Sequence, residues 1–71
     1  MAVEVRAQIT GTVWKVLVQV GQRVVEEETV VILESMKMEI PVEASAAGSV
    51  LAVHVSEGDS IEDGTLIVTL E

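Results

Sequence analysis

Along most of this chain apolar and polar residues alternate with the two-residue period of a strand, and no stretch sustains the period of a helix. Val3 and Val5 alternate with Glu4 and Arg6, which predicts a short, half-buried strand. In residues 12–20 the apolar positions that recur further down the chain are Val13, Val16 and Val18, echoed by Val50, Val53 and Val55. The step from 13 to 16 breaks the period of two. One extra residue near Trp14-Lys15, and near Leu51-Ala52, restores it, so the pattern predicts a β-bulge or sharp bend at each place. Gly21-Gln22 and Gly58-Asp59 are turn signals, each followed by a short strand or turn around Val24 or Ile61. The polar connections Glu26-Glu27-Glu28 and Glu62-Asp63-Gly64 lead into further strands at residues 29–34 and 66–70. These linkers are too short for crossover helices. Short strands at such regular spacing predict an all-β sandwich or barrel.

The pattern is itself repeated. Residues 1–34 align without a gap on residues 38–71, with only Ser35, Met36 and Lys37 between them. Val5/Val42, Ala7/Ala44, Gly11/Gly48, Val13/Val50, Gly21/Gly58, Leu33/Leu70 and Glu34/Glu71 are identical pairs, and Val3/Ile40, Thr12/Ser49, Val24/Ile61 and Val30/Ile67 are close ones. Two copies of one supersecondary unit, related by a pseudo-two-fold axis, follow from this. The repeat also exposes one mismatch: Glu27 stands where the second half has Gly64, which predicts mild backbone strain at Glu27.

Composition agrees with strands and narrows the chemistry. The 71 residues are rich in valine, carry one tryptophan, and lack phenylalanine, tyrosine and cysteine. One small domain, residues 1–71, with an aliphatic core and no disulfide or thiol chemistry is expected. A formal net charge of −8 argues against nucleic acid or an anionic membrane as partner. No apolar run has the length of a membrane span and no leader pattern precedes the first strand, so a cytoplasmic location is expected. His54, the single histidine, reads as a surface or rim residue, and Asp59, Glu62 and Asp63 read as solvated turn carboxylates without calcium-loop spacing. No nucleophile–base arrangement stands out, and a non-enzyme is expected. Trp14 faces Leu51 in the repeat, and the pattern leaves open whether it is core or exposed.

The segment that breaks the two-fold is the informative one. A two-residue turn at Met36-Lys37 pairs Ser35 with Met38, Glu34 with Glu39, Leu33 with Ile40 and Val31 with Val42, putting Leu33, Ile40, Val31 and Val42 on one buried face. The register suits the hydrophobic pattern, but the turn chemistry does not. Tight hairpins favour residues such as Asn-Gly because both central residues have positive φ. Here the apex is Met-Lys, with two glutamates facing each other one step below. A single surface lysine is ordinarily just a solvated charge. This one sits at the midpoint of a duplication, between two flexible thioethers, at an apex that another protein can grip without unfolding the domain.

Glu34-Ser35-Met36-Lys37-Met38-Glu39 closely resembles the attachment sequence of the biotinyl/lipoyl carrier domain family, usually written with alanine at the position of Ser35. Ile40-Pro41-Val42, Ala47-Gly48, Gly58-Asp59-Ser60-Ile61 and Gly64 extend the likeness over essentially the whole chain, which is most similar to small free-standing biotin/lipoyl attachment proteins. The resemblance implies a barrel-sandwich hybrid, a flattened barrel of two four-stranded antiparallel sheets. It implies biotin joined to Lys37 by a biotin protein ligase that recognises Met36, Met38, Glu34, Ser35 and Glu39, and termini at the end opposite the lysine. It further implies a monomeric carrier shuttling carboxybiotin between biotin carboxylase and carboxyltransferase. The extra thumb segment and Ala/Pro-rich linker of many acetyl-CoA carboxylase carriers have no counterpart here. A lipoyl carrier, or attachment of both biotin and lipoate at Lys37, is the alternative within the family, although a lipoyl tip usually reads Asp-Lys-Ala and the methionines favour biotin over lipoate. An unmodified structural adaptor is the alternative of another class.

Overall fold

The computed structural model describes residues 2–71. Eight strands and no helix are found among them: β1 (Val3–Arg6), β2 (Gly11–Val16), β3 (Arg23–Val24), β4 (Thr29–Ser35), β5 (Met38–Glu43), β6 (Gly48–Val53), β7 (Ser60–Ile61) and β8 (Leu66–Leu70). They form two four-stranded antiparallel sheets, ordered β1-β8-β6-β3 and β5-β4-β2-β7. Moving each strand of the first sheet to its repeat partner yields the second sheet in the same order. The internal two-fold therefore exchanges the sheets, and each sheet draws two strands from each half of the chain.

Every strand offers one face to the space between the sheets, as period-two alternation requires. Leu33, Ile67, Leu70, Val13, Val24, Val30, Val31, Val50 and Val68 are buried almost completely, with Val5, Val18, Val42, Val55 and Ile61 around them. No polar or charged residue among those described is buried, so the core is held by apolar burial and close packing alone.

The predicted bulges are present. In β2 the register passes from Val13↔Leu33 to Lys15↔Ile32, leaving Trp14 unpaired. In β6 it passes from Val50↔Leu70 to Ala52↔Thr69, leaving Leu51 unpaired. Each extra residue is pushed outward, which settles Trp14: it is 42% exposed, and Leu51 matches it at 44%. A second symmetric pair, at Val30 in β4 and Ile67 in β8, was not anticipated. There the bulge turns two neighbouring side chains inward, and Val30-Val31 and Ile67-Val68 all lie fully in the core. Of the patterned residues 12–20, the strand takes in only those up to Val16, because β3 lies in the other sheet and the chain must cross between them. Gly21 completes the crossing by donating its N–H to the Val50 carbonyl at 2.8 Å.

Glu27 carries the strained backbone the repeat implied, with φ of 72° against 93° for Gly64. The same bond holds both turns: Glu27 donates to the Ala44 carbonyl and Gly64 to the Ala7 carbonyl, each at 2.8 Å. The pairing Val3↔Leu70 is the two-fold counterpart of Ile40↔Leu33. The open ends of β1 and β8 thus correspond to the apex of the β4–β5 hairpin, and Met1 lies outside the described residues.

Candidate functional site

The β4–β5 ladder runs through Thr29↔Glu43, Val31↔Val42, Ile32↔Pro41, Leu33↔Ile40, Glu34↔Glu39 and Ser35↔Met38, and turns in two residues. This is the expected register. Met36 has φ of 52° and Lys37 of 65°, so both apex residues occupy the left-handed region without being glycine. Each such residue costs on the order of 1–3 kcal/mol and persists only where its surroundings over-determine it. Below the apex, Leu33 and Val31 are anchored in the core. From the other side β2 presses in: a Cβ on Gly11 would stand 2.7 Å from the Glu34 carbonyl oxygen, a distance real Cβ atoms do not tolerate. The tip is thus a strained turn on a rigid base.

Above that base the side chains are free. Met36 is 92% exposed and Met38 63%, and Lys37 is exposed between them. Among the described residues the single ion pair joins Arg6 to Glu4 at 2.8 Å, so the Lys37 ammonium has no carboxylate partner, not even Glu34 or Glu39. No hydrogen bond among them involves its Nζ. Lys15 is differently placed, with its Nζ 5.6 Å from the centroid of the Trp14 ring in a cation–π contact. What the tip presents chemically is one unhindered primary amine, flanked by two adaptable apolar arms and underlain by two carboxylates. Such an amine fits covalent attachment of an acyl group, and nothing around it would obstruct an enzyme that closes over it.

All six residues predicted for the site, Glu34, Ser35, Met36, Lys37, Met38 and Glu39, are brought together at this one end of the hairpin, with Ser35 half-buried and the rest exposed. Sequence reasoning missed the contribution of Gly11, whose recurrence as Gly48 was the available signal: Gly48 makes the corresponding close approach to Glu71. The other candidates are quiet. His54 is exposed, with Nε2 2.8 Å from Thr69 Oγ1. Asp59 accepts the Ser56 N–H within its own turn at 2.8 Å, the ordinary work of a turn aspartate.

Residues 1–70 match the family model described as "Biotin-requiring enzyme". The chain is 49% identical over 70 residues to the biotinylated protein TB7.3 homolog of Mycobacterium leprae, covering 99% of each. It is 45% identical over 64 residues to the biotin carboxyl carrier protein of Streptococcus mutans, covering 90% of this chain but 49% of that one. Among solved structures, the urea carboxylase of Kluyveromyces lactis superposes with a TM-score of 0.94 at 32% identity, over 100% of this chain and 6% of that much longer one.

Proposed function

We infer the function from one premise: this chain belongs to the biotin/lipoyl family of biotin-requiring proteins, whose model spans residues 1–70. It is a biotin carrier domain serving carboxylases, a component of such a system rather than its catalyst. When bound, biotin supplies the ureido nitrogen on which a carboxyl group is carried, and the protein supplies placement.

The residue that receives biotin is Lys37. The observation that carries this reading is an exposed amine without an ionic partner, held at a strained apex on a rigid base. Lys37 Nζ, deprotonated, attacks the biotin carboxyl carbon presented as a mixed anhydride with AMP by a biotin protein ligase. The new C–N bond forms, the C–O bond to AMP breaks, and the amine proton leaves to solvent. One positive charge disappears, taking the net charge from −8 to −9. Met36 and Met38 are the apolar grips for the ligase and later for the carboxylase and carboxyltransferase sites, and half-buried Ser35 closes the ladder beneath them. Glu34 and Glu39 steer basic partner surfaces toward the tip. Tethering on a lysine stem raises the local concentration of the group at two sites in turn. In isolation the domain is read as a monomer: Pro41 denies the outer edge of β5 an N–H for pairing with a second sheet.

Intact mass of the chain co-expressed with a biotin protein ligase tests this. A biotinyl increment is expected, lost in Lys37→Gln and retained in Lys15→Gln. An increment that survives Lys37→Gln, or a lipoyl increment instead, would replace the reading.

A further inference from the structure

Beside the β5 edge lies an open groove of about 360 Å³, lined by the β1–β2 connection on one side and β5 on the other. Ile9, Ile40, Pro41 and the buried Leu33 give its apolar lining, and Arg6, Gln8 and Glu43 its polar lining. We propose that the biotinyl group borne by Lys37 rests in this groove, so that the carrier holds its own cofactor against its flank between visits to its partner enzymes. The inference rests on Lys37 being the attachment residue.

Reach is the first consideration. From Lys37 to Pro41 the chain advances four residues, about 13 Å at strand rise. The lysine stem and the biotin side chain together span about eleven bonds from Cα to the bicyclic ring, about 14 Å when each bond of about 1.5 Å advances somewhat less than its length. An arm laid back along β5 therefore brings the ring to Ile40 and Pro41. A groove of this size falls at the lower end of the range, about 300–1,000 Å³, that takes small organic molecules.

Chemistry is the second. The methylene stretches of the arm and the sulfur-containing ring are apolar and suit the Ile9, Ile40 and Pro41 part of the lining, both isoleucines being half-buried with surface to spare. The ureido edge has two N–H donors and one carbonyl acceptor. Glu43 offers a carboxylate to the donors and Gln8 an amide to the acceptor, and neither side chain is engaged in a hydrogen bond among the described residues. Arg6, which also lines the groove, is already committed to the Gly64 carbonyl at 2.9 Å and to Glu4 at 2.8 Å.

The duplication supplies an internal control. At the pseudo-equivalent place near the chain ends, Ile9 becomes Ala46, Gln8 becomes Ser45, Ile40 becomes Val3 and Pro41 becomes Glu4. The fold itself is thus satisfied with small or charged residues there. The larger apolar side chains and the longer amide appear only on the side within reach of the lysine.

Amide spectra of the 15N-labelled chain before and after enzymatic biotinylation test the proposal, with intact mass confirming the increment. Expected are shifts beyond the tip, at Gln8, Ile9 and Ile40 through Glu43, and nuclear Overhauser contacts from the biotin ring to the Ile9 and Ile40 methyls. Ile9→Ala and Gln8→Ser, which install the residues the other half already tolerates, should weaken both several-fold while leaving the mass increment unchanged. Shifts confined to residues 35–39 in fully biotinylated protein overturn the resting site and leave the attachment intact. Absence of the increment overturns the attachment, and the resting site with it.

Discussion

Among the described residues, three without glycine's freedom hold positive φ, and they fall into two kinds. Glu27 is strained at a turn whose counterpart is Gly64, so its strain serves nothing the fold requires. Glu27→Gly should raise the unfolding free energy by about 1 kcal/mol, the cost of a left-handed L-residue less the entropy of a glycine, and Gly64→Glu should lower it by a similar or larger amount. Urea melts of the two variants check both signs. Met36 and Lys37 are strained at the tip instead, where Met36→Gly should relieve the turn by about 1 kcal/mol yet slow biotin transfer, because the ligase loses an apolar grip. A melt combined with a time course of the mass increment separates the two effects; equal loading rates would dismiss a role for the Met36 side chain. At this scale much was legible beforehand. The strain at Glu27 was readable because the repeat set a glycine opposite it, and the left-handed apex followed from a two-residue turn in a register that places Leu33 and Ile40 on one face. The side on which Trp14 lies was not readable, since its partner Leu51 is equally apolar and only the bulge sends both outward.

Strands differ in how plainly their irregularities are written. The bulge at Trp14 interrupts an alternation of buried and exposed positions and so shows in the spacing of Val13 and Val16. The bulge at Val30 joins two buried neighbours, Val30 and Val31, and an unbroken apolar pair reads equally well as a fully buried strand. The consequence is a sharp contrast in side-chain worth along paired strands. Leu33→Ala should cost about 3 kcal/mol, since it removes a fully buried side chain and leaves a cavity, whereas Trp14→Ala, at an unpaired and part-exposed position, should cost about 1 kcal/mol or less. Thermal unfolding of the pair decides it, and a larger loss for Trp14 would mean that its contact with Lys15 supports the β2 ladder. Packing beneath the tip is stricter still. Gly11→Ala sets a methyl group against the Glu34 backbone oxygen, which no rotamer change can relieve. A loss of about 1–3 kcal/mol, as for other overpacked sites, is expected, together with shifted amides at Glu34 and Ser35. Neither glycine advertises this role through a turn motif; the close approach becomes visible only once β2 and β4 are laid side by side.

Over the molecule as a whole, the exchange of sheets by the internal two-fold changes what the repeat means. Two tandem copies usually suggest two units that stack, each with some structure of its own. Here β1 and β3 of the first half sit in the sheet of β6 and β8, while β5 and β7 of the second half sit in the sheet of β2 and β4. Neither half contains a complete sheet, and every buried face is covered by strands from both. Within residues 2–35, the pairing of β2 with β4 is the main ladder that survives separation, and a pair of strands is marginal in water. A peptide of residues 1–35 should therefore show no cooperative unfolding, and one of residues 36–71 likewise. Mixed in equal amounts they should regain β structure and a cooperative melt, weaker and concentration-dependent because the hairpin no longer ties them together. Circular dichroism against temperature, on each peptide and on the mixture, reads the outcome directly. The cut falls between Ser35 and Met36, beside the lysine, so reassembly would also show how much of the strained apex is imposed by the ladders beneath it: recovery of biotin acceptance on the second peptide only when the first is present means that the fold presents the amine. Acceptance by the second peptide alone would mean that the ligase reads the tip sequence and needs no barrel behind it.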